Sequence, residues 1–196
     1  MRPLSSYSGR RLPTAFFLVE PSRTADPEAV ISRLAPGTGV IYRDYGAPDR
    51  RMRAARLAAL CRRRRLVFLV AGDWRLAGQV RAHGLHVPEF RLSSALWRRG
   101  AAGWLITAAA HGPAGLARAR ARKADAVLLA PVFPTRSHAG APTLGPHRFS
   151  RLSRMARLPV YALGGVTSET VKRIPPKAMA GVAAIEGFEK GGLRRF

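Results

Sequence analysis

Eight short apolar segments alternate with helix-like stretches along this chain, and this alternation limits the folds that it can adopt. Each segment is a nearly continuous run of Val, Leu, Ile, Phe and Ala, as in strands that are covered on both faces. Strands of this kind occur in parallel sheets, where crossover helices cover the sheet. The segments lie at residues 15–20, 39–43, 66–72, 84–87, 103–109, 126–133, 158–165 and 181–188.

The stretches between these segments carry the signals of helices. Asp26 and Pro27 are a capping residue and a first-turn proline, and the stretch 73–84 ends on glycine, as helices often do. Strands that alternate with helices indicate right-handed βαβ units. Eight such units predict a single (β/α)8 TIM-type barrel domain over residues 1–196.

Two further features refine this fold prediction. An open doubly wound sheet is the alternative, but no G-x-G-x-x-G follows the first segment, so its dinucleotide-binding version loses support. Only "EKGGLRRF" follows the eighth strand, and this is barely one turn of helix. We therefore expect the last helix of the barrel to be truncated or missing.

Arginine dominates the charge of the chain. The 34 Lys and Arg residues stand against 11 Asp and Glu residues, which gives a net charge of +23. Such a field attracts anions: phosphorylated metabolites, nucleic acid or acidic lipid. The run "CRRRR" at 61–65 is the best candidate for nucleic-acid contact. Most arginines lie in helical patterns with little aromatic interleaving, so solvated helix surfaces are the favoured interpretation.

Other features of the composition favour a cytoplasmic protein. No apolar run approaches the roughly 18–20 residues that a membrane span needs, so no membrane partner is expected. The first residues lack the apolar region of a secretion signal. Cys61 is the one cysteine, which excludes an intrachain disulfide and a multi-thiolate metal site.

The carboxyl ends of the strands are where a barrel gathers its functional residues. After the seventh segment, Gly164 and Gly165 would let backbone approach an oxyanion, with a helix beginning just beyond them. After the sixth, Thr135 and Ser137 could donate hydrogen bonds to anionic oxygens, and His138 could add charge or transfer a proton. Ordinary tight turns and connections are the alternative interpretation of both loops.

His111 follows the fifth apolar segment, also at a predicted strand end. A neutral imidazole there could act as a general acid or base near neutral pH. A surface or capping histidine ahead of the next helix is the alternative. Further polar residues at strand ends are Arg43, Asp44, Tyr45, Asp73, His86, Glu89 and Glu186.

Three segments resemble the thiamine phosphate synthase and thiazole tautomerase family. "ADAVLLAPVFPTRSHAGAPTLG" is similar to the family's sixth strand and loop, "LPVYALGGVTSETV" to the seventh, and "AGVAAIEGF" to the eighth. The resemblance implies a small (β/α)8 barrel. The synthase joins a pyrimidine diphosphate to a thiazole phosphate carboxylate with Mg2+ bound. The tautomerase aromatises the thiazole phosphate and needs no metal.

The resemblance also implies roles for individual residues. Thr135 and Ser137 would hold the thiazole phosphate ligand, and Gly165 with the backbone of Ile185 and Glu186 would complete the phosphate site. The other implied matches are Asp73 with a magnesium ligand, Arg43 with the arginine of the pyrimidine motif, and His111 with the tautomerase histidine that shuttles the proton.

Several positions depart from the family's pattern, mainly in the half that would hold the pyrimidine diphosphate and the metal. The strand-two motif Q-x-R-x-K here has Ile41, Arg43 and Tyr45. The remaining departures are Gly72 for an asparagine, Arg91 near the second magnesium carboxylate, His138 for the loop lysine, Glu186 for the serine of the phosphate site and Ala109 for a synthase serine.

These departures favour a tautomerase-like enzyme, and "GLHVPE" at 84–89 also resembles the tautomerase "H-L-P" segment. A divergent synthase that uses Mg2+ is one alternative. The other is a catalytically degenerate barrel that binds a phosphorylated ligand or nucleic acid. The expected partner is a phosphorylated small-molecule ligand, nucleic acid is not favoured, and a homodimer is compatible with the sequence.

Overall fold

Eight parallel strands close into a barrel in the computed structural model, which describes residues 6–7, 10–20, 23–94, 103–136, 140 and 142–189. A short antiparallel pair, β1 (Ser6–Tyr7) and β2 (Arg10–Arg11), precedes it. The barrel strands follow chain order, and the last pairs with the first. They are β3 (Ala15–Val19), β4 (Gly39–Tyr42), β5 (Val67–Ala71), β6 (Gly84–Val87), β7 (Leu105–Ala110), β8 (Ala126–Leu129), β9 (Val160–Leu163) and β10 (Gly181–Ala184).

Helices surround the barrel. The α-helices are α1 (Pro27–Arg33), α2 (Arg50–Arg63), α3 (Trp74–Gln79), α4 (Pro113–Ala121), α5 (Gly145–Ala156) and α6 (Glu186–Glu189). Among the described residues, 3-10 helices lie at Glu89–Arg91, Thr170–Arg173 and Pro176–Ala178. The predicted TIM-type barrel is confirmed, and α6 is described over one turn, up to Glu189, where the described residues end. Within the described ranges, no helix is both long and apolar enough to span a membrane.

The barrel strands are mostly apolar, and both of their faces are buried. One face packs against the helices, as Phe17 and Val40 do, while the other fills the barrel interior, as Phe16 and Ile41 do. At the amino-terminal end of the interior, the Tyr161 hydroxyl donates a hydrogen bond to the carbonyl of Pro13. Tyr161 and Leu12 are buried here, so side chains fill this end of the interior.

The sixth strand is shorter than the sequence predicts. It ends at Leu129 rather than Phe133, because Pro131 has no N–H for a sheet ladder. The amides of Val132 and Phe133 instead donate to the carbonyls of Leu163 and Gly164, at 2.9 and 3.0 Å. The apolar stretch after β8 therefore crosses over the end of β9 and contributes to the mouth of the barrel.

Some of the many arginines bond to carbonyls where helices end. Arg62 Nη1 donates to the carbonyl of Val80, the residue after α3, at 3.1 Å. Arg64 Nη2 donates to the carbonyl of Leu34, the residue after α1, at 3.4 Å. Cations are favourable at these positions because the last carbonyls of a helix lack intrahelical partners. These arginines therefore contribute to the joints between neighbouring helices.

Replacing Arg62 with alanine should lower the free energy of unfolding by about 1 kcal/mol, because the carbonyl of Val80 loses its side-chain donor. The neighbouring Arg63 is also an exposed cation on α2, and the structure records no bond for it within the described residues, so Arg63→Ala is the matched control. Urea denaturation measures both. Equal effects of the two substitutions would mean that charge alone, and not the bond to Val80, matters.

Candidate active site

A cavity of about 700 Å³ opens at the carboxyl end of the barrel. Loops that follow strands from several parts of the chain line it, as expected for a barrel of this type. The predicted site residues that it brings together are Arg43, His111, Thr135, Gly164, Gly165, Ile185 and Glu186. Ser137 and His138 lie outside the described residues, and Asp73 is not among the residues that line the cavity.

The loops after β8 and β9 meet at Gly164 and Gly165. Both glycines have positive φ, +89° and +63°. A Cβ on Gly164 would lie 2.8 Å from the Cα of Pro131, and one on Gly165 would lie 2.4 Å from the carbonyl oxygen of Pro134. Glycine is therefore required here by conformation and by close packing. The Thr170 hydroxyl donates to the Gly165 carbonyl at 2.8 Å and holds the turn.

The side chain of Glu186 lies at the same end of the cavity and is paired with arginine. The Arg23 guanidinium donates to Glu186 Oε1, and Arg136 Nη1 lies 4.0 Å from the same oxygen. Arg23 follows β3, which is next to β10 because the barrel is closed. Two cations and one carboxylate therefore share this region, and the carboxylate that the sequence places at the expected phosphate site is directed at Arg23.

His111 pairs with a carboxylate that follows the neighbouring strand. Its Nδ1 lies 2.6 Å from Glu89 Oε2, and its backbone N–H donates to the same oxygen at 2.8 Å. Arg118 donates to the other oxygen of Glu89. A Cβ at Gly115 would lie 2.7 Å from Glu89 Oε1, so glycine leaves room for the carboxylate beside α4. A carboxylate in this position orients the imidazole and keeps a proton on Nδ1.

His86 lies beneath the cavity and is almost fully buried, with 4% of its surface exposed. Its Nδ1 is 2.9 Å from the hydroxyl oxygen of Thr107. Burial and, to a smaller extent, the positive charge of Arg43 lower the pKa of His86 to about 3. The imidazole is therefore neutral at physiological pH and contributes a polar but uncharged group to the cavity.

Asp73 has a structural environment that does not fit Mg2+. Its Oδ1 accepts the amide of Leu76 at 3.0 Å and caps α3, while Oδ2 lies 3.1 Å from Arg50 Nη1. Arg91 donates to the carbonyl of the adjacent Gly72. A magnesium ion needs several oxygen ligands, yet one oxygen of this carboxylate accepts a backbone amide and the other pairs with the Arg50 guanidinium. In the part of the chain that the structure describes, no three His, Cys, Asp or Glu side chains cluster as metal ligands would.

Sequence reasoning missed one residue of the site, Arg23, and one contact, that of Glu89 with His111. Arg23 is not among the site residues predicted from the sequence. It follows the first barrel strand, however, and a position after a strand end is itself a signal of a site residue in a barrel. Glu89 was recognised as a strand-end residue, but the sequence did not indicate its contact with His111. The pairing depends on side-chain direction across two loops, which spacing along the chain does not determine.

Comparison with known proteins identifies the family. A family model described as thiamine monophosphate synthase matches residues 16–188. The thiamine-phosphate synthase of Acidithiobacillus ferrooxidans is 31% identical over 195 residues, 93% of this chain and 88% of that protein. The thiamine-phosphate synthase of Bacillus velezensis is 24% identical over 198 residues, 93% of this chain and 88% of that protein.

A solved structure supports the same fold. The thiamine phosphate pyrophosphorylase from Pyrococcus furiosus superposes with a TM-score of 0.72 at 21% sequence identity, and the match covers 88% of this chain and 85% of that one. At this identity the match concerns the architecture alone. The match of the family model to most of the chain decides the assignment: the chain belongs to the thiamine monophosphate synthase family.

Proposed function

We propose that this protein binds a thiazole phosphate carboxylate in the cavity and aromatises it by proton transfer without a metal ion. Such a tautomerisation removes one proton from the substrate and returns one at another atom, so it needs an acid/base group and no oxidant. The observation that carries the proposal is the contact of His111 with Glu89 at the wall of the cavity, 2.6 Å between Nδ1 and Oε2.

The charges around the cavity support a ligand with anionic groups at both ends. The phosphate would bind at the Gly164–Gly165 turn, beside Thr135 and Arg23. Backbone N–H groups, a hydroxyl and a guanidinium are suitable donors for its oxygens. Arg43 lines the β4 side of the cavity, 3.7 Å from Glu20, and would attract the carboxylate. Ser137 and His138 remain predicted contributors to the phosphate end.

The test of this function is direct. The purified protein is incubated with the non-aromatic thiazole phosphate carboxylate, and the absorbance of the aromatic product is followed against a buffer control. We expect the protein to accelerate formation of the product even when a chelator has removed metal ions. A rate equal to that in buffer would reject the proposal. Release of pyrophosphate from the pyrimidine diphosphate and the thiazole phosphate with Mg2+ would instead assign synthase chemistry.

Asp73 should matter for stability and not for this activity. Asp73→Ala removes the cap of α3 and the partner of Arg50, and should lower the free energy of unfolding by about 1 kcal/mol. The aromatisation rate should change less than about twofold, with Mg2+ or with a chelator. The reason is that nearly all molecules stay folded when the free energy of unfolding falls by about 1 kcal/mol. Activity that requires Mg2+ and disappears in Asp73→Ala would show that this carboxylate is a metal ligand.

A second candidate is a barrel that binds a phosphorylated ligand without turnover. The loss of polar groups at family positions, such as Ala109 in place of a synthase serine, favours it, and so does the net charge of +23, which attracts anionic ligands. Its mark would be saturable binding of the thiazole phosphate, measured by calorimetry, with no aromatic product. A cytoplasmic location is the sequence-based expectation for either function.

A further inference from the structure

A polar pair inside the barrel lies directly beneath the cavity and is not used by the mechanism proposed above. His86 on β6 and Thr107 on β7 are register partners on adjacent strands. Their chain neighbours Leu85, Val87 and Ile106 pack outward against the helices, so these two side chains point inward. His86 also lines the cavity, and Thr107 is fully buried.

The hydrogen-bond partners of Thr107 fix the tautomer of His86. Within the described residues, the Thr107 hydroxyl has one partner, Nδ1 of His86 at 2.9 Å. If Nδ1 carried the ring proton, the hydroxyl hydrogen would be buried without an acceptor, which costs about 1–3 kcal/mol. The hydroxyl therefore donates to a bare Nδ1, and the neutral ring carries its proton on Nε2.

The Nε2 atom of His86 is open to the cavity. Nε2 has no hydrogen-bond partner in the described part of the chain. It is also not fully enclosed by protein atoms, because His86 lines the cavity. The low pKa of the ring means that this N–H is present without a positive charge. An uncharged donor differs from the surrounding arginines because it recognises an acceptor by direction and not by charge.

We propose that His86, held as the Nε2–H tautomer by Thr107, donates a hydrogen bond from the cavity floor to a ligand acceptor and so orients the ligand. The acceptor is a ring nitrogen or a carboxylate oxygen of a heteroaromatic acid. The proposal rests on the proposed function for the identity of the ligand, and it adds a contact on the floor of the cavity. It makes His86 an orienting residue, distinct from His111 at the wall.

The tautomer can be observed without any ligand. Long-range ¹H–¹⁵N spectra distinguish a protonated ring nitrogen from a bare one, and the spectrum of His86→Gln assigns the resonances. We expect a protonated Nε2 and a bare Nδ1 from about pH 5 to about pH 8, with loss of this preference in Thr107→Val and its retention in Thr107→Ser. A proton on Nδ1, or an imidazolium in this range, would overturn the proposal.

Binding of the aromatic thiazole phosphate carboxylate, measured by calorimetry, tests the contact itself. The double variant H86L/T107V replaces both partners with apolar groups and leaves neither partner as an orphaned buried polar group, so we expect the fold to be preserved. It should bind about tenfold more weakly than the wild type, because one hydrogen bond to an anionic ligand is lost. His86→Gln, whose amide can place a donor near the Nε2 position, should stay within about threefold of the wild type.

The outcomes separate this proposal from the proposed function. Wild-type affinity in H86L/T107V, with thermal unfolding confirming a folded protein, would overturn the role of His86. Binding of the probe by the wild type without aromatisation of the substrate would reject the proposed function and leave the His86 contact standing. Aromatisation by the wild type, together with unchanged affinity in the double variant, would support the proposed function and reject the role of His86.

Discussion

Replacing His111 with alanine should lower the aromatisation rate by about 10²- to 10⁴-fold, which is the usual contribution of a positioned acid/base group. Binding of the thiazole phosphate should change little, because the cations and the glycine turn that would hold its charged groups remain. The expected signature is a loss in kcat with KM nearly constant. The absorbance of the aromatic product measures both quantities.

Glu89 gives this prediction a graded test. Glu89→Gln keeps the size of the side chain but removes the charge that accepts the Nδ1 proton of His111 and bonds to Arg118. We expect about a tenfold loss of kcat, smaller than for His111→Ala, because the imidazole remains but is held less firmly. His147→Ala is the control, since this exposed histidine on α5 does not line the cavity. Wild-type turnover in His111→Ala would exclude the proposed acid/base role.

The barrel could be predicted from the sequence because burial on both faces leaves a distinct pattern. Segments such as 39–43 and 181–188 have no polar alternation, which is typical of strands in a sheet covered on both sides. The pattern failed at 130–133, where residues as apolar as those of β8 leave the sheet. Hydrogen bonds from this segment to Leu163 and Gly164 decide its course, and they depend on neighbours that are distant in sequence.

The site was predictable in position and less so in its contacts. Strand order alone brings the loops after β8, β9 and β10 together, and the structure agrees that they line one cavity. Closure of the barrel also brings the loop after β3 beside the loop after β10, so Arg23 could have been included. The tautomer of His86 could not be predicted from the sequence, because it follows from one hydrogen bond to Thr107 inside the barrel.

Substitution of Glu186 should have a large effect on phosphate affinity, because its carboxylate and a phosphate would compete for Arg23. Arg23 is mostly buried, and its guanidinium bonds to Glu186 Oε1. A ligand phosphate bound at the Gly164–Gly165 turn would meet this carboxylate, and like charges at short distance repel each other. We therefore expect a bound phosphate to displace Glu186 from Arg23 toward Arg136, whose Nη1 lies 4.0 Å from Glu186 Oε1.

Glu186→Gln should therefore bind inorganic phosphate and the thiazole phosphate about thirtyfold more tightly than the wild type, because a charge-assisted bond no longer has to be broken. Arg23→Met should bind them more weakly than the wild type. Glu28→Gln is the matched control, because Glu28 also pairs with an arginine, Arg56, but lies on α1 away from the cavity. Calorimetry at constant ionic strength gives the dissociation constants. Unchanged phosphate affinity in Glu186→Gln would mean that the carboxylate and the anion do not share Arg23, and the phosphate would then have to be assigned to a different part of the cavity.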